Sequence, residues 1–462
     1  MPIEIRNPAV PDQIVATYDE TPDNSLDEVV ARARAAQLEW AALPQPERGV
    51  MVTNFVNALE TRSEEIAKSI TKEMGKPLAE ARGEAMKALG EARASVARAN
   101  APIGEVFGSQ IPGTVSYSTR RPRGVILGIN PWNFPFSTPM RKAIPALVYG
   151  NAIILKPASL TPGAVALMAE VAASTLPENL VQAVIGRGAL GQALAEHRGI
   201  DAVSFTGSVE VGKRVATAAA GHLAEVSLEL GGKNPAILND ASDLERVLDQ
   251  ILLAAFAVCG QRCTAVSRVI VHRDIEEAVV SGLAARAAAM EPMDGMIEGA
   301  KIGPLASAQQ LEDVAGFVSR AVSDGAVIAA GGHRLEIPGR GYFYAPTILR
   351  GVTRDMEIAR QEVFGPVLSL IAYDTVDEAL SIANDTAFGL SSCLYSERTD
   401  LVERFVAESE SGMLHVNAGS FPENHLPFVG IKDSSMGVGG SNGPSTIQFY
   451  TTEHAVYRRA CV

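Results

Sequence analysis

Four cysteines in 462 residues are too few for a disulfide framework, and no Cys-x-x-Cys or Cys/His cluster has zinc spacing. A reducing, cytoplasmic compartment without a metal site is the default expectation. Long apolar runs are missing as well. The longest, such as Ile251 to Gly260, fall well short of the roughly 18 residues a membrane-spanning helix needs. The opening MPIEIRNPAVPDQ carries two acids and no apolar centre, so it does not read as a secretory signal. Positive charge is in deficit: 40 Lys and Arg against 53 Asp and Glu leave a formal net charge of −13. That balance disfavours a nucleic-acid or anionic-membrane partner. No repeat or low-complexity tract interrupts the chain.

What remains is an ordinary folded composition, 47% hydrophobic and 20% charged, on a chain long enough for two or three domains. The first hundred residues are helical in pattern, with apolar positions at helical spacing over 27–43 and 46–74 and a Gly-Lys-Pro stop after Met74. From Gly124 short apolar runs alternate with helical ones: GVILGIN, helix 140–149, NAIILKP, helix 163–175, VQAVIG, helix 190–197, AVSFTG, helix 209–221, VSLELGG. A second series follows: helix 243–259, SRVIVH, helices 276–290 and 308–324, VLSLIAY, helix 376–384 and MLHVN. Such alternation predicts an α/β fold with parallel sheets covered on both faces. STIQFYTTEHAVYRR reads as a late strand that could pair with TVSYSTRRP; two strands outside both series suit a small β oligomerisation arm.

Three segments carry nucleotide signals. GRGALG (186–191) matches G-x-G-x-x-G, but the following strand ends in SFTGS, not in the acidic residue a Rossmann site wants; an ordinary glycine turn is the better reading. FTGSVEVGK (205–213) is better placed, because free N–H groups at a helix start suit a pyrophosphate. Lys156 and Ser159, in ILKPAS, end another strand where a ribose hydroxyl or a phosphate could be met.

Cys259 and Cys263 stand four apart with no His or further Cys nearby to complete a metal site. Gly260 marks a helix end, so Cys259 reads as a core residue inside the helix and Cys263, in the turn beyond, as the better nucleophile. Glu229 closes an apolar strand ahead of two glycines, a place for a general base.

In order along the chain, PWNFP (131–135), KPAS (156–159), FTGS (205–208), LELGGKNP (228–235), GQRC (260–263), EVFGPV (362–367) and NDTAFGLS (384–391) together resemble the aldehyde dehydrogenase superfamily over nearly the whole chain. The resemblance implies a Rossmann-like cofactor-binding domain (1–103 and 123–231), an α/β catalytic domain (232–440) and an oligomerisation arm (104–122 and 441–462). It implies that Cys263 attacks an aldehyde, that Asn133 stabilises the oxyanion, and that Glu229 activates the water that hydrolyses the thioester. Members that transfer the acyl group to CoA typically lack that glutamate. Lys156 and Ser159 would meet the adenosine ribose, Gly207 and Ser208 the pyrophosphate and nicotinamide, and Trp132 the cofactor's flank. Glu362 would hold the nicotinamide ribose, with Phe364 beside it. NAD-preferring members usually carry glutamate where this chain has Ser159, so NADP is the expected cofactor, with NAD possible.

Arg141 stands where succinate-semialdehyde dehydrogenases carry an arginine for the distal carboxylate, and Arg262 adds a second cation, so an anionic small-molecule aldehyde is expected. GQRCTA also resembles 2-oxoglutarate-semialdehyde enzymes, and arginine at position 141 resembles benzaldehyde-type members. A non-catalytic relative of the fold is the reading from another class, disfavoured by the intact set Asn133, Glu229, Cys263 and Glu362. PFVGIKDSSMGVGGSNG (427–443) departs from the family pattern, and the preceding loop offers Phe421 and His425 as substrate contacts. A homodimer or homotetramer is expected.

Overall fold

The computed structural model describes residues 2–240, 242–335, 341–439 and 441–459. A hairpin, Ile3–Asn7 against Val10–Tyr18, precedes four helices: Leu26–Ala42, Gln45–Thr61, Ser63–Met74 and Leu78–Val96. The single helix expected over 46–74 is two. It breaks at Arg62, where the Thr61 hydroxyl turns back to the Ala58 carbonyl and Arg62 pairs with Glu65. Glu64 and Glu65 then sit in the next helix's first turn, where the dipole favours them.

Two large sheets follow. The first has the spatial order Ser435–Gly437, Glu225–Glu229, Ala202–Thr206, Val125–Ile129, Ala152–Lys156, Val181–Ala183, parallel except for its first strand. The second runs Val327–Ala330, Thr347–Arg350, Val367–Tyr373, Val266–His272, Asn234–Leu238, Ser391–Tyr395, Met413–Val416, parallel except at Val327–Ala330. Every residue of Ala152–Lys156 and of Asn234–Leu238 is buried, which is why these strands read as unbroken apolar runs. Each sheet carries its own apolar core. Strand order reverses between Val125–Ile129 and Ala202–Thr206, so a crevice opens beyond their carboxyl ends, the usual ligand position in such sheets.

Outside both sheets, Thr451–Arg459 pairs along its whole length with Thr114–Pro122, and Val106–Phe107 adds a short third strand. The late strand begins later than the sequence suggests. Thr446–Tyr450 is a helical turn that buries Phe449 and Tyr450. Residues 460–462 of the expected arm lie outside the described residues.

One buried ion pair ties the helical layer to the crevice. Lys76 Nζ lies 2.6 Å from Glu84 Oε2, both side chains essentially inaccessible, and also donates to the Asn133 carbonyl at 2.7 Å. Glu84 Oε1 accepts the N–H groups of Phe136 and Ser137 at 3.0 Å each, capping the helix Ser137–Val148. Removing one partner strands a buried charge. Glu84→Ala is expected to lower the unfolding free energy by about 3–5 kcal/mol, read from urea denaturation; a loss under about 1 kcal/mol would show that the pair does not organise this layer.

Candidate active site

The crevice is a cavity of about 850 Å³ whose walls include Trp132, Asn133, Arg141, Lys156, Ser159, Gly207, Ser208, Glu229, Arg262, Cys263, Glu362, Phe364 and Phe421. Residues from six of the seven motifs thus meet in one space; none of NDTAFGLS is among the lining residues. His425 does not join them; it is exposed and faces Glu423 at 3.7 Å.

The loop that carries Cys263 is built on backbone strain. The helix expected to reach Cys259 ends at Phe256. Val258, Cys259 and Gly260 then take left-handed conformations with φ of 57°, 56° and 68°. At Gly260 a Cβ would lie 2.2 Å from the Gly365 carbonyl oxygen, so only glycine fits. Both carboxylate oxygens of Glu80 accept the Val258 N–H at 3.1 Å. Gln261, fully buried, donates to the Val258 carbonyl at 3.1 Å and accepts the Ala306 N–H at 2.9 Å. Asn234 Nδ2 holds the Cys263 carbonyl at 2.7 Å. Cys259 is therefore a buried loop residue, not part of a helix, as the crowding around Gly260 requires. Both thiols are free.

Asn133 Nδ2 donates to the Gln261 carbonyl at 2.9 Å, which leaves its second amide proton for a ligand. Burial, with Glu362 and Glu229 nearby, pushes the Cys263 thiol up to about 12, while Arg141 and Arg262 pull the other way. Glu229 Oε2 accepts the Thr206 hydroxyl at 3.1 Å, and its Oε1 is buried without a hydrogen-bond partner among the described residues. Thr206 Oγ1 in turn accepts from Lys142 Nζ at 2.8 Å. Burial pushes that ammonium down to about 7. Lys142 escaped sequence reading, although a lysine among apolar neighbours in STPMRKAIPALV was a visible signal. Ser434, in the segment that departs from the family pattern, fixes this corner: its hydroxyl donates to Gly231 O at 2.7 Å and accepts Gly389 N–H at 2.9 Å. Ser435–Gly437 becomes the edge strand beside Glu229.

The opposite end of the cavity suits a dinucleotide. Gly207 and Ser208 lead into the helix Val209–Ala220, whose N-terminal N–H groups open toward the cavity. Gly188 and Gly191 of GRGALG line the same space; Lys156, pushed down to about 8 by burial, lies 3.6 Å from a Cβ placed on Gly191. Glu362 accepts the Gly232 N–H at 3.2 Å and is pushed up to about 7 by burial; a Cβ on Gly231 would lie 2.1 Å from its Oε2. Gln310 fixes the Phe364 carbonyl at 2.9 Å, and the Phe364 ring stands edge-on to Trp132 with centroids 5.3 Å apart.

The family model for the aldehyde dehydrogenase family matches residues 1–456. The chain belongs to the aldehyde dehydrogenase family. It is 37% identical over 461 residues to an α-ketoglutaric semialdehyde dehydrogenase of Bacillus subtilis, covering 98% of this chain and 94% of that one. It is 35% identical over 469 residues to a betaine aldehyde dehydrogenase of Brucella anthropi, covering 99% and 93%. A 3,6-anhydro-L-galactose dehydrogenase solved in complex with NAP superposes with a TM-score of 0.95 at 32% identity, covering 99% of this chain and 96% of that one. Aldehyde dehydrogenases use NAD or NADP, and this chain is such an enzyme. No helix among the described residues is long and apolar enough to cross a membrane.

The two arginines differ in how free they are. Arg141 binds Glu91 through Nε and Nη2 at 2.7 and 2.8 Å. Burial disfavours its charge, yet Glu91 keeps it firmly protonated. Arg262 donates through Nη2 to Ser420 O at 2.8 Å and Thr264 Oγ1 at 3.1 Å, and stacks on Phe421 at 4.3 Å. Its Nη1 is buried with no hydrogen-bond partner among the described residues.

Burial pushes all three described thiols up, but only Cys263 borders the cavity. Iodoacetamide should therefore label Cys263 first among these three in the native protein. Its rate should rise about tenfold per pH unit from about pH 7 to 10. A plateau near pH 8 in mass-mapped labelling would show that the site stabilises the thiolate.

Proposed function

We propose that this enzyme oxidises an anionic semialdehyde to the free carboxylic acid and releases it by hydrolysis. The reading rests on Arg262, which lines the cavity one residue from Cys263 and whose buried Nη1 has no hydrogen-bond partner among the described residues. An unpaired buried donor is costly unless a ligand acceptor meets it. Succinate semialdehyde fits, and the longer 2-oxo semialdehyde is favoured by the Bacillus subtilis relative. The betaine aldehyde relative, at nearly the same identity, shows that overall similarity does not choose the substrate's charge.

The steps follow from the geometry. Cys263 Sγ bonds to the aldehyde carbon, and the developing oxyanion accepts hydrogen bonds from the free Asn133 amide proton and the Cys263 N–H. A nicotinamide held here would supply the hydride acceptor, and Cys263 would then carry the acyl group as a thioester. Glu229, through its unpartnered Oε1, takes the proton of the attacking water. The bonded series Glu229–Thr206–Lys142 ends on a buried amine that exchanges protons near neutrality. Lys156, Ser159, Ser208 and Glu362 hold the cofactor. Ser159 in place of a carboxylate leaves room for a 2′-phosphate, so NADP is preferred over NAD. The arm, with Val106, Phe107, Val115 and Tyr457 exposed on it, meets a second copy of the chain in a dimer or tetramer.

Glu229→Gln should acylate once and stall: about one equivalent of reduced cofactor in a burst, then turnover lowered about 10²–10⁴-fold. A full steady-state rate would assign the base elsewhere. Initial rates with succinate semialdehyde and its 2-oxo homologue, with NADP and NAD in turn, test the substrate and cofactor. Arg262→Gln should raise KM for these anions about tenfold or more. If wild type ignores both but oxidises benzaldehyde, the dehydrogenase chemistry stands and the anionic substrate falls.

A further inference from the structure

The helix Leu78–Val96 presents Glu80, Gly83, Glu84 and Lys87 to the cavity, the spacing of one helical face. Glu80 and Glu84 are committed, the first to Val258 N–H and the second to Lys76 and the capped helix. Gly83 and Lys87 have no such duty. A glycine inside a helix is destabilising relative to alanine. Here a Cβ at Gly83 would meet nothing within 4 Å, so the position leaves open space against the cavity. One turn on, half-buried Lys87 gives one of its three protons to the Pro422 carbonyl at 2.9 Å. Pro422 and Phe421 belong to the same wall, and Phe421 backs Arg262.

We propose that Lys87 is a specificity-determining residue that, together with Arg262, receives the substrate's distal carboxylate in the bay beside Gly83, while Arg141, neutralised by Glu91, frames the bay. This rests on the anionic-aldehyde reading above. The charged groups facing Lys87 are Arg141 from the helix Ser137–Val148, Arg262 from the nucleophile loop and Glu91 from its own helix. Burial and the two arginines push its ammonium down to about 8, with Glu91 opposing. The charged form is therefore present below about pH 8 and lost above it. Recognition of a carboxylate weakens over the same range, while a neutral aldehyde is unaffected.

The test compares succinate semialdehyde with butanal on wild type, Lys87→Met, Lys87→Arg and Arg262→Gln. Lys87→Met should raise KM for succinate semialdehyde about tenfold or more, with kcat and all butanal constants within about twofold. In wild type the ratio of the two KM values should climb above about pH 8, and Lys87→Arg, which stays charged, should hold it flat. An equal loss with both aldehydes in Lys87→Met would reduce the lysine to a strut for the Pro422 loop and overturn the proposal. So would an unchanged preference in Lys87→Met when Arg262→Gln abolishes it; the anionic reading would then survive alone. A wild type with no preference for succinate semialdehyde over butanal would overturn both.

Discussion

Cys263 hangs from three consecutive left-handed residues. A β-branched side chain at φ 57° is disfavoured by about 1–2 kcal/mol, and Val258 is followed at once by Cys259 in the same region. The loop keeps this shape because its polar groups are answered by side chains: Glu80 takes the Val258 N–H, Gln261 of the loop itself donates to the Val258 carbonyl, and Asn234 donates to the Cys263 carbonyl. The turn brings Gly260 against Gly365, and Glu362 and Phe364 precede that glycine in the chain. A relaxed helical continuation would have left Cys263 without this closure. Strain at the turn is thus the condition under which the two sheets share one cavity.

The same closure sets the electrostatics. Cys263, Glu229 and Glu362 are three acids lining one cavity, and burial disfavours the charged form of the thiol and of Glu362. Cations stand around them, but most are already engaged: Arg141 by Glu91, Lys76 by Glu84, Lys142 by Thr206 and the Ile129 carbonyl. Arg262 and Lys87 are the less committed pair, and both border the cavity.

Much of the fold was legible because its strands are buried on both faces. Helices 163–175 and 376–384 begin and end where their patterns do, since apolar periodicity and chain breaks agree there. The break at Arg62 was hidden because apolar spacing continues through it. The end of the helix at Phe256 was hidden because Val258 and Cys259 are apolar residues in a conformation that sequence gives no reason to expect. The motif residues named from sequence largely meet in the cavity. Lys142, Lys87 and the Glu84–Lys76 pair were not named, because their roles come from tertiary neighbours: three are ordinary helix residues and Lys76 an ordinary connecting residue until the helix Ser137–Val148 is packed against Leu78–Val96.

The thiol and Glu229 also constrain the order of events. A buried thiolate beside a buried carboxylate is unfavourable, so the proton leaving Cys263 on attack needs an acceptor at hand. Glu229 has one oxygen unpartnered and the other bonded to Thr206, so it can take that proton and pass it toward Lys142. Acylation then removes the ionisable sulfur, and with it the thiolate that the neighbouring carboxylate opposed. The carboxylate that was the thiol's unfavourable neighbour before reaction is thereby freed to act on water afterwards. In the proposed mechanism one residue serves both half-reactions because acylation takes away the thiol beside which it stood.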